Sequence, residues 1–168
     1  MKVDELAERV RHVIRNNRYL NIATHSATKV WCASLAYYVE PDYSFVYYSG
    51  KSALHSEHIS TDPLVAVTIY DSSLSSDEVD GIQFSARVSR VPARELPTVA
   101  PKYFVQSFPI EEIRKRWVRS IEDFKGLADQ RFYRIEPLDM FTIDLESIKV
   151  DKRVAVELEI LRSAPMNK

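Results

Sequence analysis

The sequence predicts a mainly β domain of six or seven antiparallel strands, closed into a small barrel with helices at its edges. Three observations predict it. Short runs rich in Val, Ile, Tyr and Phe recur along the chain and are separated by brief polar turns, so consecutive runs pair antiparallel. A sheet of that size with alternating faces curls on itself to hide its edges and one face. Strands and helices do not alternate regularly, which argues against a doubly wound parallel fold.

The elements follow in order. Val3, Leu6, Ala7, Val10, Val13 and Ile14 recur at helical spacing, so residues 2–17 read as an amphipathic helix ended by Asn16-Asn17. Leu20 to Thr24 is a short strand, Ser26 to Lys29 a turn, and Val30 to Val39 one long extended run closed by Glu40-Pro41-Asp42. Phe45 to Tyr48 is a strand. The turn Ser49-Gly50-Lys51-Ser52 leads into a short helix carrying His55, His58 and Ile59, which Thr61-Asp62-Pro63 stops. Leu64 to Tyr70 is extended, and the acidic, Ser-rich stretch Asp71 to Asp80 reads as a mobile surface loop. From Gly81, Ile82, Phe84, Ala86 and Val88 alternate with Gln83, Ser85, Arg87 and Ser89, a strand with one wet face. Arg94 to Gln106 and Ile110 to Ile121 read as helices, the first kinked at Pro101, the second with Ile113, Trp117, Val118 and Ile121 on one side. Arg131 to Leu145 is extended, broken at Glu136-Pro137, and Val154 to Leu161 alternates as a last strand. With no repeat or linker, residues 1–168 are expected to form a single domain.

Composition narrows the function. With 45% hydrophobic and 28% charged residues and a formal net charge of −1, the chain has no electrostatic footprint for nucleic acid or an anionic membrane. A single cysteine, Cys32, leaves no intramolecular disulfide and no Cys-rich zinc site, and fits a reducing compartment. The first 18 residues lack the apolar core of a signal peptide, and no run approaches a spanning length, so a cytoplasmic location is expected.

Hydroxyl, glycine and cationic residues cluster at 49–52, where a helix N-terminus should emerge. Such a place offers backbone N–H groups and a positive dipole end to an anion such as phosphate. Ser52 is placed as the N-cap. A P-loop is rejected, because Phe45 stands where that motif needs glycine. His25, His55 and His58 lack a third-ligand pattern, so no metal is expected. Cys32, between Trp31 and Ala33 in mid-strand, reads as a small buried thiol, and paired carboxylates such as Glu111-Glu112 as solvated charge. An anion site without a protein nucleophile, acid or base suits a chain whose chemistry belongs to a phosphorylated cofactor.

Trp31-Cys32-Ala33-Ser34, Phe45 to Ser49, Thr61-Asp62-Pro63 before Val65-Ala66-Val67, and Gly81 to Ala86 together resemble the pyridoxamine 5′-phosphate oxidase-like family of FMN-binding split barrels. The likeness covers about residues 20–92 and extends weakly over Tyr103 to Pro109 and Arg131 to Asp144. It implies a six- to seven-stranded antiparallel split β-barrel, and a homodimer holding FMN at the subunit interface and acting as an oxidoreductase on a small molecule. The resemblance implies that Tyr48 borders the cofactor, that Ser49, Lys51, Ser52 and His55 hold its phosphate, that Trp31, Cys32, Ala33 and Ser34 lay their backbone along the flavin, and that Gln83 reaches it from a neighbouring strand. Leu54 stands where relatives often carry arginine, and the arginine-rich C-terminal segments of true pyridoxamine phosphate oxidases are missing after Leu145, so that activity is not expected. Related split barrels bind haem, the deazaflavin F420 or no cofactor. A haem-binding or haem-degrading protein, or a non-enzymatic flavin-binding or dimerisation module, are therefore the alternatives.

Overall fold

The computed structural model describes residues 3–75, 80–144 and 152–164. The first helix, α1 (Val3–Asn16), buries Leu6, Ala7, Val10, Val13 and Ile14, with Asp4 and Glu5 in its first turn and Arg15 in its last, matching its dipole. Then come β1 (Tyr19–His25), β2 (Val30–Ala36), β3 (Tyr38–Val39) and β4 (Phe45–Gly50), followed by α2 (Leu54–Thr61), β5 (Leu64–Tyr70) and β6 (Gly81–Arg90). A 3-10 turn at Ala93–Glu95 leads into α3 (Leu96–Ser107) and α4 (Glu111–Trp117), and a second at Ile121–Phe124 precedes β7 (Gln130–Pro137). The described chain ends with β8 (Phe141–Ile143), β9 (Arg153–Ala155) and α5 (Leu158–Ser163).

All described strands join one antiparallel sheet in the order β2-β1-β5-β6-β7-β4-β3, with β8 on β6 and β9 on β8. Its inner face closes on itself into a half-barrel. Phe45 of β4 stacks on Phe84 of β6 at 5.3 Å although β7 lies between their strands, and Tyr37 meets Phe45 edge-on at 5.4 Å. One core follows, from α1 through Leu20, Ile22, Val67, Ile82 and Ile135. The expected antiparallel half-barrel with peripheral helices is therefore present, and β6 shows the expected alternation of Ile82, Phe84, Ala86 and Val88 inward.

A second core lies on the other side of β4 and β7. Val46, Phe132 and Phe124 pack there against Leu96, Val99, Tyr103 and Phe104 of α3, which runs through Pro101. Strands buried on both faces lose their period-two signature, which is why Phe45-Val46-Tyr47-Tyr48 reads as a plain apolar run.

Several expectations are corrected. The run Val30 to Val39 is two strands, because Tyr37 turns inward and its hydroxyl donates to the carbonyls of Ile14 (2.7 Å) and Asn17 (3.0 Å). There the chain changes partner, from β1 to β4. The strand expected at Val154 to Leu161 stops at Ala155. Val156 and Glu157 lead into α5, whose Leu158 and Leu161 face the core at helical spacing that alternation had mimicked. Of the helix expected over 110–121, only Glu111–Trp117 is α-helical, and Ile113, Trp117 and Val118 are exposed rather than buried. Asp80, assigned to a mobile loop, is anchored: Arg9 donates to it at 2.8 and 2.7 Å, and it accepts the Gly81 N–H. Residues 76–79 of that loop, and Leu145, lie outside the described residues.

Candidate functional site

The turn after β4 is built by pairing with β7, where Ser49 faces Arg131 and Gly50 faces Gln130. The Lys51 N–H donates to the Asp129 carbonyl (2.9 Å) and the Ala53 N–H to that of Gly50 (3.2 Å), which closes the turn. Asp129 packs close over the glycine: a Cβ at position 50 would lie 2.4 Å from its Oδ2 and would push that carboxylate aside. The predicted Ser52 cap does not form. Ala53 is the N-cap, in extended conformation with no side-chain bond, and the Ser52 hydroxyl donates instead to Asp129 Oδ2 (3.5 Å).

The first-turn N–H groups of α2 therefore lack both an intrahelical acceptor and a capping oxygen. Beside them the half-buried Lys51 makes no ion pair among the described residues. An uncapped helix end, a lone ammonium and the hydroxyls of Ser49 and Ser52 fit a phosphate. Asp129, which nothing in its local sequence marks, adds a carboxylate to the rim and opposes it. Arg131, the other cation nearby, is committed to the carbonyls of Ala128 (2.7 Å), Gln130 (2.6 Å) and Gly126 (2.5 Å).

His55 points inward. Its ring is buried against Tyr47, with centroids 6.2 Å apart, and Tyr47 stacks on Tyr133 at 5.2 Å. His55 Nε2, both tyrosine hydroxyls and Ser56 Oγ are buried without a partner among the described residues. His58 Nδ1 meets Thr24 Oγ1 at 3.1 Å and fixes α2 on β1. The part of His55 at the turn is its backbone, while its imidazole belongs to the barrel interior.

Burial, and secondarily His58, hold the His55 pKa below the ordinary 6.5. The unfolded chain then binds the proton more tightly than the folded one. The stability that neutral His55 contributes is full above pH 6.5 and is lost as pH falls from there through the lowered folded value. Thermal midpoints measured between pH 8 and 5 should fall on the acid side, and His55→Gln should flatten that fall. An unchanged acid limb in the variant would remove His55 as its cause.

The remaining predicted residues divide between faces. β2 is an edge strand with no strand on its far side among the described residues, so half its N–H and C=O groups are outside the ladder. Cys32 is exposed, which corrects the buried-thiol reading: it lies opposite Ala23 on the outward face. Ser34 shares that face, donating to Asn21 Oδ1 (2.6 Å), and Asn21 in turn faces Thr68, which faces Gln83. The structure thus aligns Ser34, Asn21, Thr68 and Gln83 in one polar row across four strands. Trp31 and Ala33 take the opposite face of β2; Trp31 remains 43% exposed, with Lys29 Nζ 5.4 Å from its ring centre. Tyr48 is in the second core, edge-on to Tyr103 (5.3 Å), Phe124 (5.4 Å) and Phe132 (5.6 Å). Among the described residues no three His, Cys, Asp or Glu side chains converge on a metal position, and no helix is long and apolar enough to cross a membrane.

No protein-family model matches this sequence, and no curated protein matches it. Solved structures do. A haem-binding protein from Mycobacterium smegmatis superposes with a TM-score of 0.70 at 14% identity, over 94% of this chain and 60% of its own. A candidate pyridoxamine 5′-phosphate oxidase from Listeria innocua gives 0.58 at 13% identity, over 80% of this chain and 95% of its own. The chain has the split-barrel fold. A further split barrel, the haem storage protein HutZ from Vibrio cholerae, gives 0.59 at 15% identity, over 84% of this chain and 94% of its own. Identities this low show the fold alone. The split barrel described here spans 60% of the Mycobacterium smegmatis protein's length.

Proposed function

We infer that this split barrel binds FMN between two copies of the chain and works as a flavin-dependent oxidoreductase on a small molecule in the cytoplasm. The observation that carries the reading is the unpaired Lys51 beside the uncapped N-terminus of α2, at the end of β4. Lys51, Ser49, Ser52 and the α2 N–H groups would hold the phosphate, and the free edge of β2 from Trp31 to Ser34 would hydrogen-bond the ring system. Gln83 and its polar row would face the partner. FMN would supply hydride transfer through its N5 atom; the chain supplies binding, orientation and exclusion of water. Support for a dimer comes from the outward face of β2-β1-β5-β6. It combines small residues, Ala23, Ala66 and Cys32, with exposed Tyr19 (63%), Val30 (80%) and Tyr70 (50%), a surface that a second sheet can approach closely.

The purified protein should show a flavin spectrum or gain one on adding FMN; a colourless protein that binds no FMN overturns the reading. Ser49→Ala with Lys51→Ala should weaken FMN about ten- to a hundredfold, the loss of hydrogen bonds to a charged group of about 1.5–3 kcal/mol, and leave riboflavin little changed. Equal losses for both ligands would place the phosphate elsewhere.

One observation favours a haem site as a second reading. Unlike His55 and His58, His25 keeps an exposed imidazole, with Nε2 3.2 Å from Asp62 Oδ2 beside the turn that joins β1 to β2, and two proteins of this fold are named for haem. A Soret band that His25→Ala abolishes would replace the flavin reading.

A further inference from the structure

A cavity of about 670 Å³ opens where the end of α1, the Tyr37–Val39 corner and the last turn of α3 meet. It is separate from the turn after β4. Tyr38 pairs with Val46, whereas Lys51 lies beyond the opposite end of that strand, roughly 15 Å along at about 3.3 Å per residue. Its size falls in the range of about 300–1,000 Å³ that small organic ligands occupy.

The lining has a definite chemistry. No acidic side chain borders the cavity, while Arg15, Arg18 and Lys102 do. Arg15 is bonded to Glu8, but Arg18 and Lys102 have no ion-pair or hydrogen-bond partner for their side chains among the described residues. Two of the last carbonyls of α1, which would repel an anion, are occupied: Val13's by Asn17 Nδ2 (2.8 Å) and Ile14's by the Tyr37 hydroxyl (2.7 Å). Tyr38 and Phe108 give the walls aromatic faces, and Phe108 is held in place by stacking on Trp117 at 5.5 Å and 5°. Gln106 also borders the cavity, although its amide nitrogen and oxygen are shut off from solvent and so do not face it.

The geometry points to a binding site for a small planar organic anion, its ring between Tyr38 and Phe108 and its phosphate or carboxylate on Arg18 and Lys102. Two cations unpaired among the described residues, over aromatic walls, favour an anionic aromatic ligand over its neutral or cationic counterparts. The site stands on these contacts alone and does not depend on the flavin reading.

The test uses 2-naphthyl phosphate and neutral 2-naphthol as probes, titrated calorimetrically into the full chain. The phosphate should bind at least tenfold more tightly than the alcohol. Arg18→Gln with Lys102→Gln should remove most of that preference while leaving 2-naphthol unchanged, and amide shifts on binding should centre on Tyr38, Val39 and Gln106. Ser49→Ala with Lys51→Ala should leave the probe's affinity intact. Equal affinity for the two probes, an unaffected Arg18/Lys102 double variant, or a loss confined to the Ser49/Lys51 variant would overturn the site. Because Arg18 and Lys102 are exposed, their replacement does not threaten folding, and an unchanged unfolding midpoint verifies this.

Discussion

Phe132→Ala should lower the stability of the fold by about 3–5 kcal/mol, the cost of emptying a well-packed aromatic site. Phe132 is 1% exposed and sits among Phe124 (4.5 Å), Tyr103 (5.4 Å), Tyr48 (5.6 Å) and Phe104 (6.4 Å). These rings are what fastens α3 and the 121–124 turn to the sheet, so few neighbours can collapse into the void without dragging backbone. Against a total of about 5–15 kcal/mol for an ordinary domain, that loss is severe. Urea unfolding should show a lower midpoint with an unchanged slope. Phe132→Leu, which keeps most of the volume, should cost only about 1–1.5 kcal/mol. Similar effects of the two variants would mean that the second core contributes little. Tyr48 rests on Phe132 one residue before Ser49, so Phe132→Ala should also loosen the turn proposed to hold phosphate.

Arg134→Ala should be the next most damaging change, at about 2 kcal/mol, below the 3–5 kcal/mol of a fully buried pair because water still reaches the site. Arg134 on β7 donates to Glu40 at 2.6 and 3.2 Å and to Glu95 at 2.9 Å, with side-chain exposures of 18, 18 and 32% respectively. It thereby ties the β3–β4 turn and the entry to α3 to a central strand. Glu40, first and foremost, holds the guanidinium's pKa well above its ordinary value. Its removal leaves two carboxylates facing one another. Arg134→Lys keeps the charge but not the forked geometry, and should recover only part of the loss. The cycle pairing Arg134→Ala with Glu40→Gln should show coupling; strict additivity in thermal unfolding would mean that the network contributes nothing.

Much of the barrel was readable because strands with one wet face announce themselves. Ile82, Phe84, Ala86 and Val88 could alternate inward only in an extended chain with solvent on one side. The same rule failed where its premise failed. Val154 to Leu161 alternates, yet Leu161 is fully buried and Leu158, one turn of helix earlier, packs against the same core. Cys32 looked buried because its neighbours are apolar, but an edge strand has one open side and an outward face, and both expose it. Within the candidate site, the stretch 49–52 was legible as a turn before a helix. Two of its features were not. Ser52 bonds to Asp129 instead of capping α2, and His55 turns into the barrel towards Tyr47. Both depend on residues of other elements, which local spacing does not report.

By itself the sequence determined most of the extended segments, the polar turns that divide them, and that hydroxyls and a lysine gather at the start of a short helix. These are properties of consecutive residues, governed by propensity and by the period of apolar side chains. Only the tertiary structure decided which strand neighbours which, that β4 and β7 are buried on both faces, and that Asp129 enters the turn after β4. It alone brought Arg18, Lys102 and Gln106 around one cavity. The reason is physical: those outcomes come from burying two cores at once, a constraint on side chains far apart in the chain that no local pattern encodes.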